Sequence, residues 1–419
     1  MPQKPKPYES RNYTHLQLIA WEHFTDDATK PGDEPQLNPT RPNLEDPSKP
    51  PIPIFSDKMP LDERIRLKRL YGLVELAREK LKNTDSPKTL KIFLAPEFTF
   101  RPKKDDSAQA KNEGVGSDNT YTREAMTRIV GTLRELFSDE KYRDWLFVPG
   151  TIMWSETVKS EVVVQKNYLS PDETRLVDDY VFFNTALMFK GGSTNAPYTC
   201  IHKHAASFGD KADVEKSAEK NLLFKDLLGK KDDRRFSMVG HNVLDTDGIR
   251  FGLEVCLDHG AKILKNAVMQ DYYVKEKKED PFVDVHLLVA CDKAVEPCNL
   301  AITENGYFMR VDGGLGVAQQ AKQRTPGYGL IPCKSSSIFR CVPKEEMPQE
   351  YAKAAPNVAD DIPENFDPVY ISHLDANGQS MLELDWEEKT KDSLQTWAPE
   401  GTQRLVAYKP LLYTPTRIP

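Results

Sequence analysis

Apolar residues at Leu67, Leu70, Val74, Ala77 and Leu81 recur at three- and four-residue steps, with Arg and Lys between them. That spacing predicts a helix over Leu61–Lys82. Pro60 stands at its entry, where a missing N–H is tolerated. Thr89–Ala95 (TLKIFLA) follows as a mostly apolar run, the pattern of a strand buried on both faces. Tyr121–Phe137 reads as a second amphipathic helix and Leu146–Trp154 (LFVPGTIMW) as a second buried strand. Asn12–Trp21 ends in a strand-like run. Further β-rich runs lie at Glu161–Gln165, Asp179–Phe189, Arg250–Cys256, Val283–Ala290, Tyr307–Val311 and Ser336–Cys341. This order predicts a layered α/β domain with a mixed sheet. Residues 101–120 and the charged stretch Gly209–Arg235 read as loops, the latter with a short helix.

Composition changes this picture in three places. The chain has 419 residues, which as a prior suggests two or three domains or one enlarged α/β domain. Its 31 prolines exceed ordinary usage, and nine of them fall between Pro31 and Pro60. Proline removes a backbone donor, so the region of about 25–60 is expected as a surface insertion. Residues 343–403 are acidic, proline-containing and weakly periodic, and are closed by the apolar run Arg404–Tyr413. There is no apolar run long enough for a membrane span and no secretory h-region at the start. The net charge of −7 argues against a general nucleic-acid surface. Six cysteines, at 200, 256, 291, 298, 333 and 341, make no disulfide framework, so a reducing, cytoplasmic setting with unbridged thiols is expected.

Three short segments place a reactive side chain at or just past a strand end, where loops and backbone groups converge on ligands in α/β sheets. In Leu94-Ala95-Pro96-Glu97-Phe98 a carboxylate follows an apolar strand, and burial beside Phe98 and Phe100 suits a general base near neutral pH. In Cys200-Ile201-His202-Lys203-His204 a lysine is bracketed by histidines; the alternation lacks a second ligand cluster, so a zinc site is not expected. In Gly252-Leu253-Glu254-Val255-Cys256-Leu257-Asp258-His259-Gly260 a thiol ends an apolar strand before a glycine turn, where backbone N–H groups can lower its pKa. Taken singly, these are a turn-capping Glu, a solvated Lys and an inert buried Cys.

Together, in the order Glu, Lys, Cys, they resemble the nitrilase (carbon–nitrogen hydrolase) superfamily. The matching pieces are Pro96-Glu97, Lys203 with His204, and Cys256-Leu257-Asp258. Val148-Pro149-Gly150-Thr151, Phe183-Asn184-Thr185-Ala186-Leu187, Ala301–Tyr307 (AITENGY) and Gly327–Ile338 resemble further segments of that family. The resemblance spans roughly residues 12–342 and leaves the proline-rich insertion and residues 343–419 outside it. The spacings depart from the family habit, with 106 residues from Glu97 to Lys203 and 53 from Lys203 to Cys256.

The resemblance implies a four-layer α-β-β-α sandwich in a domain of residues 1–342, with 343–419 as a C-terminal extension that serves as an oligomerisation tail. It implies a homodimer or higher homo-oligomer, a small amide or nitrile substrate, no nucleic-acid or membrane partner, and no metal or organic cofactor. Cys256 would be the nucleophile, Glu97 the base, and Lys203 with the backbone N–H of Leu257 an oxyanion-type hole. A thioester intermediate would follow. Glu215 is the nearest candidate for the family's second, substrate-positioning glutamate, with Asp210 and Asp213 as rivals. Trp154, Phe208 and His259 are candidate pocket walls. Asp258 favours an amidase over a nitrilase, which has Glu at that position. An N-acyltransferase on the same fold, a non-catalytic scaffold and a Cys–His thiol protease using His259 or His202 are the alternatives.

Overall fold

The sequence features that start and stop the helices operate as expected. Helix α1 (Leu61–Lys80) begins after Pro60, carries Asp62 and Glu63 in its first turn, and places Arg78 and Lys80 in its last. Both ends therefore complement the helix dipole. In α2 (Arg123–Leu136) the Thr122 hydroxyl accepts the Ala125 N–H at 3.2 Å, a side-chain cap. Two shorter helices, α3 (Leu257–Gly260) and α4 (Ile263–Lys275), escaped sequence reasoning. The computed structural model describes residues 8–23, 37–41, 48–56, 58–82, 86–102, 120–164, 173–205, 242–275, 282–291, 293, 295–296, 299–313, 336–341, 363–365, 368–374, 380–385 and 403–414.

The strands among those residues are β1 (His15–Glu22), β2 (Thr40–Arg41), β3 (Ile52–Pro53), β4 (Thr89–Leu94), β5 (Tyr121–Thr122), β6 (Trp145–Val148), β7 (Thr151–Val164), β8 (Glu173–Lys190) and β9 (Tyr198–His202). They continue as β10 (Val243–Thr246), β11 (Ile249–Val255), β12 (Val283–Ala290), β13 (Ile302–Asp312), β14 (Ser336–Cys341), β15 (Pro363–Asn365), β16 (Pro368–Leu374), β17 (Ser380–Asp385), β18 (Gln403–Tyr408) and β19 (Leu411–Leu412). The larger sheet runs β17-β16-β18-β1-β4-β6-β8-β7-β5, with β19 on β1 and β9 on β8. The smaller runs β10-β11-β12-β13-β14-β15, and β2 pairs β3. The chain is thus a mixed α/β protein with extensive sheets and few helices.

Strand alternation sorts the core. In β1, Leu16, Leu18 and Ala20 join one apolar cluster with Phe251, Leu253, Val255 and Met309 of the smaller sheet. Ile19 and Trp21 turn the other way and join Leu67, Leu70, Ile129 and Leu133 of α1 and α2. β4 and β6 divide in the same manner, with Ile92 and Leu146 facing the smaller sheet and Phe93 and Phe147 facing the helices. Two-sided burial explains why the parallel strands β1, β4 and β6 read as nearly continuous apolar runs. Glu63 of α1 receives the Arg128 fork of α2 at 2.6 and 2.8 Å and locks the helix pair. On the outer side of β11, Gly252 makes room for Leu264 of α4: a Cβ there would lie 2.4 Å from the Leu264 side chain.

Two sequence expectations change. Leu146–Trp154, read as one strand, is β6 and β7, separated at Pro149-Gly150, where Gly150 has φ +85°. The segment 343–419, read as an extension, supplies strands to both sheets. β15 pairs β14, and β18 pairs β1 in antiparallel register, Ile19 opposite Ala407. The apolar run Arg404–Tyr413 fills the edge of β1 within its own chain. Most of the proline-rich region lies outside the described residues. No helix of the described residues is long and apolar enough to cross a membrane.

Candidate functional site

β4 belongs to the larger sheet and β11 to the smaller, and the chain leaving each brings a reactive residue into the seam between them. Past β4, the Pro96–Phe100 turn is held from three sides. The Phe98 N–H donates to Thr151 Oγ1 (2.8 Å), Thr99 Oγ1 donates to the Pro96 carbonyl (2.7 Å), and Arg66 of α1 donates to the Thr99 carbonyl (2.8 Å). Gly150 passes so close that a Cβ would sit 2.4 Å from the Pro96 carbonyl oxygen. Phe98 takes φ 64°.

Past β11, Cys256 takes φ 49° and ψ −109° at the entry to α3. A non-glycine residue in that region costs about 1–3 kcal/mol and is held there by its surroundings, a feature typical of functional sites. The Cys256 N–H still completes the sheet by donating to the Val289 carbonyl (3.0 Å), while its thiol points to the Cys291 carbonyl (Sγ–O 3.7 Å).

Lys203 arrives from β9. Its N–H donates to the Asn184 carbonyl (2.9 Å), and its ammonium donates to Glu97 Oε1 at 2.7 Å. Asn184 Nδ2 donates to the same oxygen at 2.8 Å. Glu97, Lys203, Cys256 and Asn184 are all buried. The Cys256 thiol interacts with both Glu97 and Lys203: burial pushes its pKa up, the Glu97 charge pushes the same way, and the Lys203 charge pulls it down. Cys256 is therefore held as a neutral thiol beside the Glu97 carboxylate.

The three residues expected to carry chemistry thus come together, although 106 and 53 residues separate them in sequence. Leu257 follows the thiol directly and opens α3. Glu215 and Phe208, with the rivals Asp210 and Asp213, lie outside the described residues. Trp154 sits on the far face of its sheet, not on a pocket wall. Its indole donates to Thr185 Oγ1 (2.8 Å) and stacks on Phe183, among residues packed towards α1 and α2. Alternation puts Asn184 and Lys203 on one face and Trp154, Thr185 and His202 on the other.

His259 also lies away from the expected wall, enclosed beneath the elbow. Its Nδ1 meets Glu254 Oε2 at 2.8 Å and its Nε2 accepts the Glu296 N–H at 3.0 Å. His286 Nε2 meets the same Glu254 oxygen at 3.0 Å while its Nδ1 accepts the Ala301 N–H at 3.3 Å. The backbone donors fix both tautomers, so each ring donates its remaining N–H to Glu254. Glu254, His259 and His286 are close enough to resemble a metal site. A cation on those faces would force each opposite nitrogen to carry a proton against a backbone N–H, so the trio does not fit a metal. Its tautomers make it a hydrogen-bond clamp. Neither ring nitrogen of His259 is aimed at the thiol, which removes support for the Cys–His protease reading.

Asn184 and Glu254 were missed as site residues. Each is a buried polar side chain among mostly apolar neighbours in its strand, the one signal that marks it. Cys200, Cys256, Cys291 and Cys341 form no disulfide with one another.

His202 brings a pH dependence. Burial, and then the neighbouring His204 charge, lower its pKa to about 4. The unfolded chain takes up this proton near pH 6.5, the folded protein only near 4. Stability is therefore lost as pH falls through that window, by at most about 3 kcal/mol. Denaturant titrations at pH 7 and pH 4.5 should show a smaller loss for His202→Asn than for the wild type. Equal losses would remove His202 from the account.

No family model matches the sequence, and no curated protein matches it. Among solved structures, this chain is similar to a cysteine-to-alanine mutant of the amidase from Nesterenkonia AN1, from the nitrilase superfamily. That likeness has a TM-score of 0.33 and 10% identity, over 95% of this chain and 92% of the other. A glutamate-to-leucine mutant of the amidase from Nesterenkonia sp. AN1, showing covalent addition of the acetamide moiety of fluoroacetamide at the active-site cysteine, gives a TM-score of 0.32 and 11% identity over 96% and 93%.

Proposed function

We propose that this chain is a thiol-dependent carbon–nitrogen hydrolase, an amidase for small non-peptide amides, built on a four-layer α-β-β-α sandwich of the nitrilase type. One observation carries the reading: a buried carboxylate, ammonium and thiol from three distant segments converge at the ends of strands from two sheets, with the thiol on a strained elbow.

Glu97 takes the Cys256 proton as sulfur attacks the amide carbon. The carbonyl π electrons move to oxygen, and Lys203 with the Leu257 N–H stabilises that charge. The tetrahedral species collapses, the C–N bond breaks, and Glu97 returns its proton to the departing ammonia or amine. Water then loses a proton to Glu97 and attacks the thioester, releasing the acid and restoring the thiol. Each step uses the one carboxylate in alternating roles. Asp258 after the thiol supports amide over nitrile, on the resemblance described above.

The test incubates the protein with panels of small primary amides and nitriles, measuring ammonia and the intact mass of the protein. Release from at least one amide, with an acyl adduct mapped to Cys256, is expected. A panel with no ammonia and no Cys256 adduct would sink the proposal. Turnover of nitriles alone, or acyl transfer to added hydroxylamine without hydrolysis, would reassign the reaction on the same residues.

A further inference from the structure

Asp258 stands two residues beyond the nucleophile, within α3, and is fully enclosed. Its carboxylate crosses to the segment leaving β9. Oδ1 accepts the His204 N–H at 2.9 Å and the Ala205 N–H at 2.7 Å, Oδ2 lies 3.2 Å from the His204 nitrogen, and the His204 ring Nδ1 is 3.8 Å from Oδ2. β9 pairs with β8 at the side of the larger sheet, and the Lys203 N–H to Asn184 carbonyl bond (2.9 Å) continues that pairing just past the strand's end. From His204 onward the chain leaves that pairing, and the next two amides are both held by Asp258. Two consecutive N–H groups on one carboxylate fix the direction of the backbone there. They therefore also fix where the preceding residue, Lys203, projects.

We propose that Asp258 is a positioning residue that sets the separation of the Lys203 ammonium from the Cys256 thiol. It sits on the nucleophile's own turn and grips the backbone next to the cation, so one side chain registers the two groups across the seam between the sheets. The inference rests on reading Cys256 as the nucleophile and Lys203 as the cation that serves it. Through Lys203, Asp258 governs two properties together: the acidity of the thiol and the stabilisation of the charge that develops after attack.

The test is a double-mutant cycle read by alkylation, which needs no substrate. The rate of iodoacetamide labelling at Cys256, mapped by mass spectrometry near pH 8.5, is compared for the wild type, Asp258→Asn, Lys203→Met and the double variant. Asp258→Asn is expected to slow labelling about tenfold in the wild-type background, because a displaced ammonium lowers the thiol pKa less. It is expected to have no further effect once Lys203 is Met. An equal slowing in both backgrounds, or none in either, overturns the proposal, since a merely structural role would not depend on Lys203. If Asp258→Asn does not fold, Ala205→Pro carries the same cycle; it deletes the shortest donor and leaves the carboxylate intact, and the same outcomes decide. A protein that hydrolyses no amide yet passes this cycle would refute the proposed activity and leave the positioning role standing.

Discussion

Glu97→Gln should cut turnover by about 10²- to 10⁴-fold, the usual contribution of a positioned general base, and should at the same time make Cys256 easier to alkylate. The opposite signs follow from the charges around the sulfur. The Glu97 carboxylate raises the thiol pKa, and it also holds the Lys203 ammonium at 2.7 Å, sharing the cation's field. The amide of Gln is neutral. Its substitution removes the repulsion and leaves Lys203 to act on the thiol alone, so the thiolate fraction at a given pH rises. The Gln amide can neither hand a proton to the departing amine nor take one from water, so turnover is expected to stall. Steady-state kinetics on an accepted amide, beside the iodoacetamide rate, reads both effects. A Glu97→Gln protein that loses turnover and labels more slowly would show that the carboxylate shapes the site without working as its base.

Glu254→Ala should lower stability by about 3–5 kcal/mol, as expected when one member of a buried polar network is removed. Its oxygens accept three donors within the protein: His259 Nδ1–H, His286 Nε2–H, and the Leu264 N–H at 2.8 Å in the first turn of α4. Burial alone would raise this carboxyl; His286 and His259 instead hold it down, to about 2. The charge therefore persists through all ordinary pH, and its stabilisation is lost only as pH falls from about 4.5 towards 2. Alanine strands all three donors away from water, each at a cost of about 1–3 kcal/mol. The denaturant midpoint measures the loss. A change below about 1 kcal/mol would mean that the network relaxes around the cavity. Addition of EDTA should leave the wild-type midpoint unmoved, because the histidine tautomers leave no lone pair for a cation; a chelator-induced drop would overturn that assignment.

Much of the positioning framework was legible in sequence. β4 and β12 fall where apolar runs predicted strands, because strands buried on both faces carry few polar interruptions. α1 and α2 were readable from spacing and capping. The junction at Pro149-Gly150 was not, since apolar character continues across it and only the backbone of Gly150 changes direction. Strands β16 and β17 were hidden for another reason. His373 and Glu383 interrupt their apolar pattern, and their pairing partners lie far away in the chain. Within the site, residue type and order pointed to Glu97, Lys203 and Cys256, whereas their distances depend on contacts no local window contains. His259 neighbours Cys256 in sequence, yet the turn into α3 carries it elsewhere, and strand alternation carries Trp154 to the far face of its sheet. Proximity along the chain is a poor guide to which wall a side chain joins.

The pairing of β1 with β18 has a consequence for biosynthesis. The Gln17 side chain grips the Tyr408 carbonyl (2.9 Å) across 391 residues of chain. β1 leaves the ribosome long before β18, yet one of its edges stays open until residue 408 has been made and has cleared the exit tunnel. Throughout translation the nascent protein presents an unfinished sheet margin, the kind of surface that chaperones hold and that other nascent chains can join. Completion of the sheet is thus a late, long-range closure, slow on topological grounds. Messages broken shortly before β18 would yield chains that contain Glu97, Lys203 and Cys256 but aggregate through the open edge of β1.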